Sequence, residues 1–557
     1  MNAIATPLVV GVTSHRNVPA NEVEAIRQRV RDLLSHLQRE FPHSPLAVLS
    51  PLAEGGDQWV AEEGLKLGAR LIAPLPLPKD VYAQDFVDAG TRATFDALCA
   101  QAHVIPLPLL PGHAPEDIAK PGVERDRQYA QAGAFVARHC QVLLAIWDGK
   151  PSERLGGTAQ VVAYYLGGAM PGHVESRRTF PRLGGGDERL VCHLVCSRDI
   201  PDGAPQAPLQ PGQTIWRNGS EVGAPDAPMP RDFRAMFEHA DGFNADAVKY
   251  REEIAAADGE RVGSIGALFH AADWLAMHFQ RRVMLAMRVT YTVAALMAIA
   301  FAVYDNLSAQ NYMIYVFLLL FIIGIVISTI AQRRGWHRKY LDYRALAEGL
   351  RVQGYWRRAG ISLTNDPEFA HDSLLQKQDI ELGWVRNMMR AAGLGEPEPR
   401  GEGDVHGVIR EWVGGKGHVG QLGYYRYKAL QREHTHRITE LVGAVALYAG
   451  IAISVVLAVF AYRLSADAKN YLIVLMAVFS VAAAVREAYA FRKADKELIK
   501  QYRFMRHIFT DARTQLDSTD DPEEQRNILR ALGEAALAEH AEWAVMHRQR
   551  PLEPGRM

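Results

Sequence analysis

The sequence is poor in cysteine: only four occur among 557 residues, Cys99, Cys140, Cys192 and Cys196. So few cysteines exclude a disulfide framework and predict a reducing compartment. The N-terminal segment lacks a basic stretch followed by a long apolar one, so no secretory signal is expected and the first half is predicted to stay in the cytoplasm. An excess of charge is missing too, because 62 Lys and Arg residues are balanced by 63 Asp and Glu residues. A surface that binds nucleic acid throughout is therefore not expected.

The average composition hides two different regions. Apolar residues make up 48% and charged residues 22%, an ordinary globular mixture that excludes disorder and collagen-like repeats. The length predicts three or four structural units at about 150 residues each. From about Val283 onward, however, the chain contains apolar stretches long enough to cross a bilayer, preceded by a more polar first half.

Apolar runs alternate with helical patterns over the N-terminal part of the chain. The runs cover 7–12, 46–49, 70–74, 103–106, 141–147 and 190–195, and helical patterns such as 21–40, 58–67 and 127–138 lie between them. Parallel neighbouring strands need helical crossovers, so the pattern predicts an α/β domain with a doubly wound parallel sheet. The run at 190–195 is expected to close the sheet. Residues 201–230, rich in Pro, Gly and Ala, are typical of an irregular excursion or linker, and helical periodicity returns from about Arg231.

Polar loops follow the strands of this sheet, at the edge where ligands bind in such folds. The candidate ligand-binding residues are Thr13, Ser14, His15, Arg16, Glu54, Gly55, Gly56, Asp57, Asp148, Gly149, Gly156, Gly157 and Thr158. Arginine at a strand end suits bidentate contact with phosphate. Glycines at a helix start let a phosphate approach the backbone N–H groups. The alternative for the second loop is that two glycines make a turn and Asp57 caps the helix.

Other chemistry is sparse in this half. Cys192 and Cys196 alternate with His193 along one strand, which places the thiols on one face and the imidazole on the other. Two thiols on one strand do not make a structural zinc site, so buried cysteines are expected and no metal site is predicted. The sequence contains no Gly-x-Ser-x-Gly or Gly-Lys-Ser/Thr segment, and no catalytic residue is assigned.

Three motifs resemble the SLOG superfamily, a Rossmann-like group of nucleotide phosphoribohydrolases, DNA-processing proteins and nucleotide sensors of bacterial defence. They are Val12-Thr-Ser-His-Arg16, Ser50-Pro-Leu-Ala-Glu-Gly-Gly-Asp57, and Ala145-Ile-Trp-Asp-Gly149 followed by Gly156-Gly-Thr158. The resemblance covers about Pro7 to Ser197. The phosphoribohydrolases of the family carry Gly-Gly-x-Gly-Thr and soon afterwards a Glu that serves the reaction, whereas no carboxylate follows Thr158 before Leu166 here. The resemblance therefore implies nucleotide binding rather than hydrolysis.

Four apolar stretches in the second half have the length of membrane spans. They are Val283 to Tyr304, Tyr312 to Ile330, Leu441 to Tyr462 and Tyr471 to Val485, the last being short for a span of about 20 residues. Short connections join them into two hairpins. The alternative is a set of helices buried in a soluble bundle, although four such stretches in two pairs are hard to hide from water.

Basic residues predict the orientation of these hairpins. Arg281, Arg282, Arg333, Arg334, Arg338, Lys339, Arg437, Arg486, Arg492 and Lys493 flank their outer sides, while the connections contain only Arg463 and Lys469. Because basic residues stay on the cytoplasmic side, both termini are expected in the cytoplasm. Arg288 is the one charge well inside a span. It is a candidate for lining a pore or pairing across subunits, or for snorkelling to the membrane interface.

The spacing after the hairpins indicates an internal repeat. Arg333-Arg334 and Tyr343-Arg344 correspond in offset to Arg492-Lys493 and Tyr502-Arg503. Membrane topology alone explains the basic pairs but not the Tyr-Arg pairs. The arrangement resembles the SLATT domains, two-span modules associated with SLOG sensors, in the segments Tyr343 to Arg351, Tyr355-Trp356, Ala536 to Trp543 and His547 to Glu553. This resemblance, from about Ala267 to Glu553, implies an effector that permeabilises the inner membrane.

Together the two resemblances imply a domain order. Residues 1–200 form a SLOG-like domain, 201–262 an irregular linker with a connecting helix, and 263–395 and 396–557 two SLATT-like modules. The expected protein is a membrane effector of bacterial anti-phage or stress signalling that binds a nucleotide second messenger, such as an ADP-ribose variant or a cyclic nucleotide. Its expected partners are the lipid bilayer and further copies of the chain, with no cofactor and no nucleic acid.

Two other classes of function stay open. The first is a membrane-anchored nucleotide N-glycosidase or phosphoribohydrolase that acts on NAD-like or nucleoside monophosphate substrates. It requires a carboxylate near the ribose, and the loop candidates are Glu54, Asp57, Asp148 and Glu153. The second is a transporter or a membrane-anchored scaffold. A transporter is disfavoured because the hairpins lack Gly/Pro-broken spans and clustered intramembrane acids.

Overall fold

The chain folds into two compact units. The computed structural model describes residues 5–110, 112–170, 189–219, 221–257, 263–361, 382–394, 403–415 and 420–549. The N-terminal unit comprises Met1–Ala271 and Leu363–Glu398, and the helical unit comprises Ala272–Ser362 and Pro399–Met557. The last residues of the SLATT-like tail motif, from Arg550 to Glu553, lie outside the described residues.

An eight-stranded sheet forms the centre of the N-terminal unit. Its strands are β1 (Leu8–Ser14), β2 (Leu46–Leu49), β3 (Arg70–Leu75), β4 (His103–Pro106), β5 (Val142–Trp147), β6 (Leu190–Val195), β7 (Thr214–Asn218) and β8 (Glu221–Val222). Their order is β4-β3-β2-β1-β5-β6-β7-β8. The pairings from β4 to β6 are parallel. Because the chain order reverses at β1, the carboxyl ends of β1 and β5 border the crevice where open α/β sheets bind ligands.

Helices connect these strands and cover the sheet. In this unit they are α1 (Ala20–Glu40), α2 (Gly56–Lys66), α3 (Lys79–Tyr82), α4 (Ala89–Gln101), α5 (Pro115–Ile118), α6 (Val123–His139), α7 (Thr158–Tyr165), α8 (Arg231–Lys249) and α9 (Arg251–Ala256), with a 3₁₀ turn at Ala83–Asp85. α1 shows why they form: it buries Ile26, Val30, Leu34 and Leu37, one stripe at helical spacing. Every residue of β5 is buried, as expected for a strand covered on both faces.

The sheet is not wholly parallel, which corrects the prediction from the sequence. β7 runs antiparallel to β6, and β8 antiparallel to β7. Both strands lie within the segment 201–262 that the sequence indicates as an irregular linker, so the strand at 190–195 does not close the sheet. β7 has only five residues, too few alternating positions to stand out among the surrounding prolines and glycines.

The remaining helices, most of them long, belong mainly to the second unit. They are α10 (Gly263–Asn306), α11 (Met313–Arg333), α12 (Trp336–Arg358), α13 (Gly383–Gly393), α14 (Val405–Val408), α15 (Gly420–Val459), α16 (Ala466–Lys493), α17 (Asp495–Leu516) and α18 (Pro522–Gln549), with a 3₁₀ turn at Ser308–Gln310 and a π-helical turn at Ile409–Val413. α13 is an exception, since it belongs to the N-terminal unit, as do the first residues of α10. In that unit α13 buries Trp384 and Met389.

Four helical segments are long and apolar enough to cross a membrane. They are Gly263–Asn306, Met313–Arg358, Gly420–Val459 and Ala466–Leu516. The fourth stretch, short in sequence, is the middle of a helix of 28 residues, whereas the third ends at Val459 rather than Tyr462. No residue of the most apolar window of α11 is buried within the chain. A surface this apolar fits hydrocarbon better than water.

Where α12 and α18 meet, the helical unit has a well-packed aromatic core. The Trp356 indole donates to the Leu529 carbonyl oxygen at 3.0 Å, and a Cβ added at Gly533 would lie 2.5 Å from its ring. Tyr355 stacks on Trp412 with ring centroids 5.2 Å apart. α12 and α18 therefore pack closely at a point where only glycine fits.

Candidate functional site

The carboxyl ends of β1 and β5 bring polar side chains together. The His15 N–H donates to the Ile146 carbonyl oxygen at 3.0 Å, which continues the pairing of the two strands by one residue. The His15 Nε2 atom lies 3.1 Å from Asp148 Oδ1. One residue earlier, the Ser14 hydroxyl donates to Asp57 Oδ1 at 2.7 Å. We call this group of four side chains, at the switch point of the sheet, the crevice cluster.

Asp57 is the most perturbed acid of the crevice cluster. Its side chain is buried, and burial raises the pKa of Asp57 to about 7, although the Ser14 hydroxyl and the Arg16 charge oppose this rise. It does not cap α2: the helix begins at Gly56, and its N-cap, Gly55, makes no side-chain cap bond. The capping interpretation of the sequence is therefore wrong, because the carboxyl group turns back to the end of β1.

His15 and Asp148 form a second buried contact. Burial lowers the pKa of His15, and the hydrogen bond and charge of Asp148 oppose that change. Asp148 is itself buried and accepts the Lys150 N–H at 3.0 Å. The imidazole is thus mainly neutral near pH 7 and able to donate or accept a hydrogen bond.

Two arginines border the crevice. Arg16 is exposed, and its guanidinium carbon lies 6.0 Å from the ring centroid of Tyr129. Arg198, just after β6, is close enough to His15 to contribute to lowering its pKa. The Arg198 Nε atom is buried and has no hydrogen-bond partner within the described part of the chain. The sequence did not indicate Arg198, because it follows β6, which is distant in sequence from β1 and β5, and because no motif surrounds it.

A further polar cluster adjoins Arg16. Arg125 of α6 pairs with Asp85 at 2.6 Å and donates to the Tyr129 hydroxyl at 2.9 Å. Tyr129 in turn donates to Asp85. The pattern was not visible in the sequence, because α6 and the turn at Ala83–Asp85 meet only in the folded sheet.

The glycines of the second loop are required by packing inside the unit. A Cβ added at Gly55 would lie 2.9 Å from the Arg16 carbonyl oxygen, and one at Gly56 would lie 2.7 Å from the Ser14 Cβ. Gly55 also has a φ of 93°, which favours glycine. The tight turn is thus confirmed, whereas phosphate binding at this loop stays a prediction. Glu54 beside the glycines accepts a long bond of 3.5 Å from Thr91.

Strained backbone accompanies this loop. Leu52 has a φ of 59° although it is fully buried and has a Cβ, a conformation that costs roughly 1 kcal/mol or more. Its N–H donates to the Ser50 hydroxyl at 3.2 Å, and its carbonyl oxygen accepts from Gln58 at 3.3 Å. These bonds hold the loop in place beside the crevice cluster.

The third loop lies against α6. Gly156 has a φ of 71°, and a Cβ there would lie 2.8 Å from the Ala130 backbone nitrogen. Gln160 braces the loop: its side chain accepts the Gly156 N–H at 3.2 Å and donates to the Glu153 carbonyl oxygen at 3.0 Å. α7 starts at Thr158, after Gly157, without a side-chain cap. Its first N–H groups are thus free of side-chain competitors for an anion.

The remaining candidates occupy different places. Thr13 is buried within β1. Gly149 has a φ of 80°, and a Cβ there would lie 2.5 Å from Leu209. Arg288 is exposed on the surface of α10, outside the N-terminal unit. Within the described ranges, no group of three or more His, Cys, Asp or Glu residues is arranged to hold a metal ion.

Comparison with known proteins adds no identity. No protein-family model matches the sequence, and no curated protein matches it. The geometry of the site is that of a switch-point crevice with two arginines, a neutral histidine and two buried acids.

Proposed function

We propose that this chain is a membrane effector of bacterial nucleotide signalling. In this proposal the N-terminal unit binds a nucleotide-derived signal, such as an ADP-ribose variant or a cyclic nucleotide, and the apolar helices respond by rearranging or assembling. The response permeabilises the inner membrane. The observation behind it is the pair Arg16 and Arg198 at the switch-point crevice, in a chain that also contains four helices of membrane-crossing length.

The chemistry of the crevice suits a phosphorylated ligand. Guanidinium groups donate two parallel hydrogen bonds to a phosphate. The charge of Arg198 acts on His15, and the charge of Arg16 acts on Asp57. The uncapped start of α7 offers further N–H donors. The SLOG resemblance, carried by the loops around Arg16, Asp57 and Gly157, adds support for this ligand class.

The membrane part of the proposal includes an orientation. Basic residues flank the outer ends of the apolar helices, at Arg281, Arg282, Arg333, Arg334, Arg437, Arg492 and Lys493, and the residues between α10 and α11 contain none. By the positive-inside rule, both termini and the N-terminal unit are cytoplasmic. A closed ring of identical subunits is the economical way to line a pore with two hairpins from each chain.

Binding can drive the response only through a difference in affinity. Moving an equilibrium from 1:99 to 99:1 requires the ligand to prefer the active arrangement by about 5.5 kcal/mol. A nucleotide with several phosphates can provide such a preference, because each charge-assisted contact contributes about 1.5–3 kcal/mol.

The test is a calorimetric screen of the full chain in lipid nanodiscs against cyclic and linear nucleotides. We expect one nucleotide to bind, and Arg16→Ala and Arg198→Gln each to weaken it at least ten-fold. Arg29→Gln is the matched control, since Arg29 is an exposed arginine on α1 that pairs at 3.7 Å with Asp226. Release of dye from liposomes by the same nucleotide completes the test. Unchanged affinity in both crevice variants would remove this site.

A second candidate, a nucleotide N-glycosidase, is favoured by one observation. Asp57 has a pKa of about 7, the range in which a carboxyl group can give or take a proton at neutral pH. Incubation of the full chain with NAD-like compounds and nucleoside monophosphates, followed by chromatography, tests it. Released base that disappears in Asp57→Asn establishes the enzyme; no release across the panel rejects it.

A further inference from the structure

A second cavity lies beside the crevice in the N-terminal unit. It has a volume of about 770 Å³, within the range of about 300–1,000 Å³ typical of small-molecule sites. Among the residues that line it, Gly149 and Glu153 belong to the candidates named from the sequence. The others come from the end of β5, from α7 and the turn after it, from β7, and from the loops after β5 and β6. None of the four crevice-cluster side chains lines the cavity, although Trp147 and Gly149 on either side of Asp148 do.

One wall of the cavity is apolar. α7 contributes Ala159, Val162 and Ala163 to it, and Leu166 just after α7 and Trp147 at the end of β5 complete it. Small side chains on α7 leave the space open, and Ala163 is exposed to it. Such a wall removes an apolar body of a ligand from water, at roughly 25 cal/mol per Å² of buried surface.

The cavity lining also contains a cation, Arg217 of β7. The Arg217 guanidinium carbon lies 5.5 Å from the Trp147 ring centroid. Its Nε atom is buried and finds no hydrogen-bond partner in the part of the chain that the structure describes. Burial lowers the pKa of Arg217, but an arginine stays charged at any physiological pH. A half-buried charge without an acid is costly unless an anion completes it.

The Trp147 indole contacts the Arg217 guanidinium without using its N–H donors. Stacking on a ring face fixes the guanidinium plane while its N–H edge remains available. That edge matches the two oxygens of a carboxylate or phosphate. Glu153 is the acid among the lining residues, and it is exposed, so water and salt screen its repulsion of an anion.

From this geometry we infer that the cavity is a binding site for a small organic anion, with a flat apolar body along α7 and an oxyanion on Arg217. The inference does not rest on the proposed nucleotide site, because none of the four crevice-cluster side chains lines the cavity, although the start of α7 borders both. Carboxylates and phosphates share the required oxyanion, and the probes below separate them.

The experiment measures dissociation constants with the full chain in nanodiscs, by calorimetry. The probes are 1-naphthyl phosphate and 1-naphthoate, with neutral 1-naphthylmethanol and inorganic phosphate as partial ligands. We expect at least one anionic naphthyl probe to bind, and both partial ligands to bind at least about ten-fold more weakly, since each lacks one of the two contacts. Preference for the phosphate or the carboxylate probe identifies the head group.

Variants test the two walls separately. Arg217→Gln should weaken the anionic probe at least about ten-fold, and Arg217→Lys should restore part of the affinity, because it keeps the charge and loses the fork. Ala163→Leu should also weaken binding by filling the space, while Arg29→Gln, a control of the same chemistry, should not. No binding by the wild-type chain, or equal binding by Arg217→Gln, would overturn the inference.

Discussion

The helical unit has two halves, α10 to α12 and α15 to α17. They share one arrangement of ion pairs but differ in how far the charges are buried. In the first half, Arg344 after the hairpin pairs with Asp273 before it, 71 residues apart in sequence, at 2.7 Å. In the second, Arg503 pairs with Glu433, 70 residues apart, at 2.7 Å. Each arginine therefore joins the helix that leaves a hairpin to the helix that enters it. This match favours the internal repeat that the Tyr-Arg spacing predicts.

The surroundings of the two pairs are different. In the first half, Glu348 is buried and pairs with Arg351 at 2.7 Å, next to His540 of α18. In the second half, the Arg503 side chain is 56% exposed. The comparison teaches that one pattern of residues can serve a buried network in one copy and a solvated ion pair in the other.

The largest effect on stability is expected for Glu539 of α18, which lies close enough to the buried Glu348 to feel its charge. Burial and the charges of Glu348 and Glu542 raise its pKa to about 8, against a hydrogen bond from Gln501. The folded pKa exceeds the unfolded one, so this group favours folding below pH 4.5 and the benefit is lost as pH rises to about 8. Glu539→Gln should remove that loss and raise the free energy of unfolding by on the order of 3 kcal/mol at pH 9.

The measurement for Glu539→Gln is denaturant unfolding of the full chain in detergent micelles at several pH values. Glu433→Gln in the second half is the control: it removes one exposed ion pair and should cost less than about 1 kcal/mol, with no gain at high pH. Parallel stability curves for wild type and Glu539→Gln would show that Glu539 is not in a buried network.

Much of the layout follows from apolar patterning alone. Six strands and four apolar helices appear where the sequence predicts them, because long buried or lipid-compatible runs leave a strong signal. β7 was missed, since a short strand near the sheet edge has almost no signal. The crevice loops were located from strand ends, but the partners of Ser14 and His15 were not.

The residues that sequence reasoning missed have one feature in common. Arg198, Tyr129 and Arg217 gain their role from neighbours far away in the chain, so no local spacing marks them. Asp57 was among the residues predicted from the sequence, but its carboxyl group accepts a hydrogen bond from Ser14 instead of capping its own helix. Local chemistry therefore predicts where a site lies better than it predicts which groups meet there.

A smaller effect on stability is expected when Arg344 and Arg503, the arginines that follow the two hairpins, are compared. Arg344→Met should lower the free energy of unfolding by on the order of 2 kcal/mol, because it leaves Asp273 and Glu348 partly buried with one cation fewer. Arg503→Met should cost below about 1 kcal/mol, because the Arg503 side chain is 56% exposed and water already weakens its ion pair with Glu433. Unfolding in the same detergent gives both values. Equal losses would contradict the difference in burial between the halves.

The smallest effect concerns the turn between each second apolar helix and the helix that follows it. Gly335 and Ala494 occupy equivalent positions, with φ of 56° and 53°. The Gly335 N–H donates to Gln332 at 3.0 Å, and the Ala494 N–H donates to Phe491 at 3.2 Å. The first half thus has the residue that the left-handed conformation favours, and the second half has one that it strains.

Exchange of these two residues should move stability in opposite directions. Gly335→Ala should cost about 1 kcal/mol from backbone strain alone, because a Cβ there would meet only the Arg338 side chain, at 3.9 Å. Ala494→Gly should relieve the same strain, although it gives up a buried methyl group, so the net gain should stay below about 1 kcal/mol. If unfolding shows both variants destabilised by the same amount, the two turns are not equivalent and the repeat ends before them.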